Sequence, residues 1–449
     1  MISIKKILNT TALILLLSPA WAQQVVDLSL DQARNYAQQY NYNLRNARLD
    51  IETAKQKVNE TISTGLPQAN INVGYNDNIG LPVQLVPGDF FGRPGEDIEV
   101  QFGTKYSGSL GASVSQLLFS GSYIVGLQAS EAYLQQAKKN MVKTGTEVNK
   151  AVSEAYFLVL ATGEGLKVVD STLAITSKLA EQTRILYENG FSEETDFDQL
   201  NLLISDLEVS RSNILSQLES TKAMLKFQLG MDAGQQIRLT ETLQSLTEKM
   251  AAEQMLLKPF KLQSNIDYQI LQNQQELAKL QLKLEKSAFL PTLSAFLNYQ
   301  TQAQRSSWDF FDQKGKWYSS SVWGITMNIP VLSSGERIAK VKQANFQLRK
   351  TYVAEEMLTS SLNLKHQTTK DELANALHTY ENTRSNKELA EKIFRRTGIK
   401  YTEGIASSLD LLNTHNQYIT AQSNFINSAL NLLNKSVAME TLLTESVEN

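Results

Sequence analysis

Leu66-Pro67-Gln-Ala-Asn-Ile-Asn-Val-Gly-Tyr75 returns in the second half of the chain as Leu290-Pro291-Thr-Leu-Ser-Ala-Phe-Leu-Asn-Tyr299. Two further landmarks recur in the same order. Leu118-Phe119-Ser120-Gly121 is matched by Val331-Leu332-Ser333-Ser334-Gly335, and Tyr187-Glu-Asn-Gly190, with Asp196 six residues later, by Tyr401-Thr-Glu-Gly404 with Asp410. The chain is therefore an internal duplication with a period of roughly 215 residues. Each half reads helix, strand, loop, strand, long helix, glycine turn, long helix.

The quoted stretches carry the period of two expected of a strand with unlike faces. Ala69, Ile71, Val73 and Tyr75 alternate with Asn70, Asn72, Gly74 and Asn76; Tyr106, Leu110, Ala112, Val114 and Leu118 alternate with Ser107, Ser109, Gly111, Ser113 and Ser115. In the second half Trp317, Trp323, Ile325, Met327 and Ile329 share one face. The expected strands are 66–76 and 106–119, then 290–301 and 317–330. Pro67 and Pro291 begin strands and Pro330 ends one, where a missing N–H does least harm. About ten residues each suits a tilted strand crossing a bilayer. On such strands Trp308, Trp317 and Trp323 fit an interfacial aromatic girdle.

The chain has eight prolines, none between 95 and 258 and none after 330. Interior proline breaks a helix, so these tracts admit very long ones, and helical hairpins are expected over 122–230 and 335–440. A helix from Ser122 to Asn189 would reach about 100 Å at ~1.5 Å per residue. Positions 200, 204, 207, 211, 214, 218, 221 and 225 read Leu, Ile, Leu, Arg, Ile, Leu, Thr, Leu, a seam for an antiparallel partner. Ser29 with Gln32 has capping-box spacing for the first helix. The resulting division is a signal segment 1–22, a first repeat 23–230, a linker 231–263 at the middle of the helical part, and a second repeat 264–449. The segment 77–99, rich in proline and glycine, reads as a long loop.

Lys5 and Lys6, the apolar run Ala12–Leu17 and Ala20-Trp21-Ala22 have the form of a secretory signal cut after Ala22. Cysteine is absent, which excludes disulfides, thiolate metal sites and a cysteine lipid anchor. Net charge is −3 with both signs interspersed, which speaks against nucleic-acid binding. His366, His378 and His415 lack metal-binding spacing, and Glu193, Glu194, Asp196 and Asp198 lack the spacing and glycine of a calcium loop. No phosphate-binding loop or nucleophile elbow occurs, so neither an enzyme nor a cofactor is expected.

Four spanning strands cannot stand alone in lipid, because two open edges would leave backbone groups unpaired. Two chains would make eight strands and three would make twelve; a conducting interior favours three or more chains.

The doubled helix–strand–strand–helix plan and the paired Tyr-x-x-Gly-x₅-Asp turns resemble the TolC-like outer membrane efflux protein family along essentially the whole chain after the signal. The resemblance implies a homotrimer with one twelve-stranded β-barrel in outer-membrane lipid, continued by an α-helical coiled-coil tunnel in the periplasm. It implies docking with a periplasmic adaptor protein and an inner-membrane pump of the RND or ABC type, for efflux or type I secretion. It assigns Gly190 and Gly404 to the hairpin turns at the periplasmic tip, Tyr401 and Asp196 to a latch holding the mouth closed, and Asp410 to the aperture. Asn413 stands where the family has a second aperture aspartate, and Ala406 replaces an arginine of the family's latch. The rivals are a non-channel periplasmic coiled-coil adaptor or structural protein, in which four repeated strands would have no purpose, and an exported hydrolase, which lacks a catalytic constellation.

Mass spectrometry of the exported chain is expected to find Gln23 as its first residue and no lipid; an uncleaved or acylated N-terminus would contradict the reading.

Overall fold

The computed structural model describes residues 25–312 and 315–444; the expected signal segment, 1–22, lies outside them. In chain order the elements begin with β1 (Val26–Leu28), α1 (Leu30–Tyr40), α2 (Tyr42–Thr64), β2 (Gln68–Asp77), β3 (Val83–Pro87), β4 (Asp97–Gln101), β5 (Tyr106–Ser120) and α3 (Gly121–Glu188). They continue with α4 (Glu194–Leu229), β6 (Ile237–Leu239), α5 (Leu243–Lys249), α6 (Ala252–Leu257), α7 (Ile266–Ser287), β7 (Thr292–Arg305), β8 (Tyr318–Asn328), α8 (Glu336–Thr402) and α9 (Ser408–Leu443). They form two compact units, one from residues 50–138 and 270–356, the other from the described residues up to 49, 139–269 and from 357 on.

The first unit holds an antiparallel sheet ordered β2-β5-β7-β8. Its register carries the alternation of the single strands across the whole sheet. Ala69, Val114, Leu297 and Trp323 form one row, and Asn72, Gly111, Gln300 and Ser320 a row on the opposite face. Both faces are largely open to the surroundings, so neither is a globular core. The pairing shifts at a bulge between Leu117 and Phe119, near the end of β5. β2 and β8 are the edges, each with one side unpaired. The segment expected to be a plain loop contains a two-stranded ribbon, β3 with β4.

The second unit is helical, with a small parallel pair between β1 and β6. Ser29 caps α1 as its spacing foretells: its hydroxyl accepts from Gln32 N at 3.3 Å, and the Gln32 amide oxygen accepts from Ser29 N at 2.9 Å. The first helix is not continuous. Asn41 is buried at a break, where its Oδ1 accepts from Asn43 N at 2.8 Å and its Nδ2 donates to the Gln228 carbonyl at 2.7 Å. Tyr156 and Phe157 of α3 are wholly buried against the start of α1, and the Tyr156 hydroxyl donates to the Leu28 carbonyl at 2.9 Å. Burial and the neighbouring Glu241 charge push that phenol well above its usual value, so it remains a donor. Arg34 grips Glu440 of α9 through two bonds of 3.0 and 2.8 Å and reaches Ser153 of α3 at 2.8 Å, a planar fork that a lysine would not reproduce. The arginine inside the α4 seam is also accounted for: Arg211 Nε donates to Asp170 of α3 at 2.6 Å.

Gly230, the cap of α4, has φ 74° and its Cβ position falls on the Tyr40 carbonyl, whereas Gly190 has φ 76° and open space around it. Gly190→Ala should therefore lose only about 1–2 kcal/mol for the left-handed backbone. Gly230→Ala should lose about 1–3 kcal/mol more for the overlap. Thermal unfolding of the two variants checks this, and equal losses would contradict it.

Candidate functional site

In the helical unit the hairpin turns explain why the motif is Tyr-x-x-Gly-x₅-Asp. At the end of α3, Gly190 N donates to the Tyr187 carbonyl at 2.9 Å and Phe191 N to the Leu186 carbonyl at 2.8 Å. At the end of α8, Gly404 N donates to the Tyr401 carbonyl at 3.0 Å and Ile405 N to the Lys400 carbonyl at 2.8 Å. Both glycines are left-handed, φ 76° and 73°, so the same helix stop is written twice. The aspartate then falls in the first turn of the next helix in each half, beside its unpaired N–H groups.

Asp410 closes a capping box. Its carboxylate accepts from the Ser407 hydroxyl at 2.7 Å and from Ser407 N at 3.1 Å, while Asp410 N donates to the Ser407 hydroxyl at 3.1 Å. The hydroxyl first, and then the backbone N–H, hold the carboxyl below its usual value. Ser407 was not singled out in the sequence, although Ser-x-x-Asp is itself a capping signature. Asn413, one turn on, opens onto a cavity of about 630 Å³ between α8 and α9 that Asn386, Gln417, Thr420 and Asn424 also line.

The expected latch pair is not hydrogen bonded in the single chain. The Tyr401 hydroxyl shares a 2.9 Å bond with Thr183 of α3, and the Asp196 carboxylate accepts from the Ser192 hydroxyl at 3.0 Å. Burial raises the Tyr401 pKa first, the Thr183 bond works against that, and the Asp196 charge adds to the rise. The carboxylate thus influences the phenol without binding it. Thr183 is wholly buried in a tract of ordinary helical sequence, and no pattern marks it.

A buried cluster beside the tip joins Leu179 and Ala180 of α3, Leu200 of α4, Phe394 of α8 and Leu411 of α9. His415 lies against it with its ring 5.5 Å from that of Phe394, which stacks on Tyr418 at 5.4 Å. His415 is 3% exposed and neither ring nitrogen has a hydrogen-bond partner. Burial pushes the imidazole below its usual value, and the nearby Asn416 amide works in the opposite direction. His366 is lowered too, by burial and then by the Lys370 charge.

In the sheet unit the three tryptophans stand at different places along the strands. Trp308 lies in the loop after β7, its ring against Phe311 at 5.8 Å, and Trp317 stands just before β8, against Phe310 at 6.2 Å. Trp323 is at mid-strand, paired in register with Leu297 and 77% exposed on the apolar face. Trp308 and Trp317 thus share the loop end of the sheet, and Trp323 stands further along β8. Among the described residues no three His, Asp or Glu side chains cluster to hold a metal ion, and no helix is long and apolar enough to cross a membrane.

The family model described as outer membrane efflux protein matches residues 33–231 and 261–445. Outer membrane protein TolC of Vibrio cholerae is 23% identical over 347 residues, spanning 75% of this chain and 71% of the relative. Among solved structures, CusC, described in connection with folding and transmembrane channel formation, superposes with TM-score 0.73 at 15% identity, covering 95% of this chain and 94% of its own. VceC of Vibrio cholerae gives 0.68 at 15%, covering 93% and 97%. The CmeC channel of Campylobacter jejuni gives 0.69 at 15%, covering 94% and 87%. At such identities the superpositions establish the fold.

Because the folded state holds His415 neutral while the unfolded chain takes up a proton near pH ~6.5, acid favours unfolding. The stability that His415 contributes is complete above that pH and falls as pH drops towards the depressed folded value. His415→Phe should flatten the fall in unfolding temperature between pH 7.5 and 5; an unchanged slope would assign the acid sensitivity elsewhere.

Proposed function

This chain belongs to the outer membrane efflux protein family, and we propose that it works there as a homotrimer, the exit duct of a tripartite efflux or type I secretion system. Its place in the outer membrane follows from the family, and family membership speaks for transport rather than catalysis. The observation that carries the finer reading is the isolated four-stranded sheet, apolar on one face, polar on the other and open at both edges. Three copies joined edge to edge give a closed twelve-stranded barrel with its apolar face to lipid and every ladder bond made. An adaptor or other non-channel periplasmic protein would have no reason to keep such a sheet.

In this reading the hairpin tips surround the periplasmic mouth, where a periplasmic adaptor and an inner-membrane pump dock, and the pump chooses the cargo. Asp410 and Asn413, three residues apart, share one face of α9, and threefold symmetry makes Asp410 a ring of three carboxylates. A multivalent cation neutralises such a ring. Tyr401 and Asp196 form the closing latch once a neighbouring hairpin is present.

The purified protein should run as a heat-modifiable trimer and conduct in planar bilayers. A trivalent cation on the periplasmic side should block it, more strongly in Asn413→Asp and hardly at all in Asp410→Ala. Tyr401→Phe should raise the open probability modestly. A soluble monomer would defeat the channel reading. Equal block in wild type and Asp410→Ala would leave Asp410 as a helix-start acid only.

A further inference from the structure

Two exposed surfaces are polar without being charged. In the sheet unit, the face opposite the apolar one displays Asn70, Asn72, Ser109, Ser113, Gln300 and Gln302. No Asp, Glu, Lys or Arg occupies that face on any of β2, β5, β7 and β8. In the helical unit, α9 has no such residue from Leu411 to Asn434. Its exposed positions over that stretch include Asn413, Gln417, Thr420, Asn424, Asn427 and Asn431, spaced by three or four along one face of the helix. The cavity beside them adds Thr383 and Asn386 from α8, again uncharged.

An ordinary solvated face looks different, with charges of both signs interspersed. The neighbouring helix α8 shows it: Glu388, Glu391, Lys392, Arg395 and Arg396 follow one another within a few turns. A face meant for lipid or for a dry core would be apolar, and amides buried there would each need partners. An open face of amides and hydroxyls fits neither case. It fits a wall that stays wet, binds water as readily as solute, and gives a passing ion no fixed charge to meet.

We propose that these two faces are walls of the export passage and that the passage is indifferent to charge, carrying cargo of either sign with the Asp410 ring as its one electrostatic filter. The inference rests on the trimeric channel reading and adds its substrate class: solutes are not sorted as anions or cations after the mouth. A wall of one sign would concentrate its counter-ion about tenfold or more. An uncharged wall does not.

The absence of cysteine makes the test direct. Asn72→Cys, Gln300→Cys and Asn424→Cys, each giving one thiol per protomer of the trimer in planar bilayers, are exposed to cationic and anionic methanethiosulfonates of like size. Both reagents should lower conductance at all three sites. Their rates, normalised to a free thiol and measured in an Asp410→Asn background, should agree within about twofold, against the tenfold or more of a charged wall. Ile71→Cys, on the apolar face, should leave conductance unchanged with either reagent. A rate ratio of about tenfold or more in that background overturns charge indifference. Modification of Asn424→Cys without a change in conductance overturns the assignment of α9 as a wall. If the wild-type protein conducts nothing at all, the channel reading itself falls and this inference with it.

Discussion

Unpaired backbone in hydrocarbon is the constraint on which the rest depends. Water normally satisfies the free N–H and C=O groups of an edge strand, and within a bilayer it cannot. β2 and β8 are both edges here, and the sheet is too narrow to close on itself. Its apolar row of Ala69, Val114, Leu297 and Trp323 has no core to enter within the chain. In the proposed trimer the sheet is one third of a closed barrel, and each half of the duplicated sequence supplies two of its strands.

Much of this was legible because strand and turn chemistry are local. Alternation in Ala69–Asn76 and, up to the bulge, in Tyr106–Gln116 survives as two unlike faces because the pairing there is in register across four strands. The glycine turns were legible because a left-handed residue after a helix has few alternatives to glycine, and both sit at positive φ. What escaped depends on distant neighbours. Asn41 breaks the first helix because the end of α4 comes to its side chain, 187 residues away in sequence. Thr183 meets Tyr401 from an unmarked helical tract, 218 residues away. The β3–β4 ribbon was hidden by the prolines and glycines between its short strands, which read as loop.

The two units show different uses of polar residues. Inside the helical unit they fix geometry: Arg34 grips Glu440, Arg211 pairs with Asp170 across the seam, and Asn41 shapes the break between α1 and α2. Each of these is committed to a partner and adds specificity more than stability. The amides of the open faces are mostly committed to none within the chain. That contrast, rather than polarity itself, separates residues that hold the fold from residues that, in the proposed channel, face what moves past it.

On the proposed trimeric reading Asp410 belongs to both groups, and its two roles act on its proton in opposite directions. A ring of three carboxylates in a narrow mouth resists full ionisation and draws protons. The capping bonds from Ser407 favour the ionised form and pull the other way. The cap also engages one carboxylate oxygen, Oδ2, in both bonds, so Oδ1 is left to meet a cation. An acid placed at the start of α9 is thus kept charged and oriented by the helix it caps. The residue that ends the hairpin turn in each chain is, by that same geometry, suited to stand guard at a shared mouth.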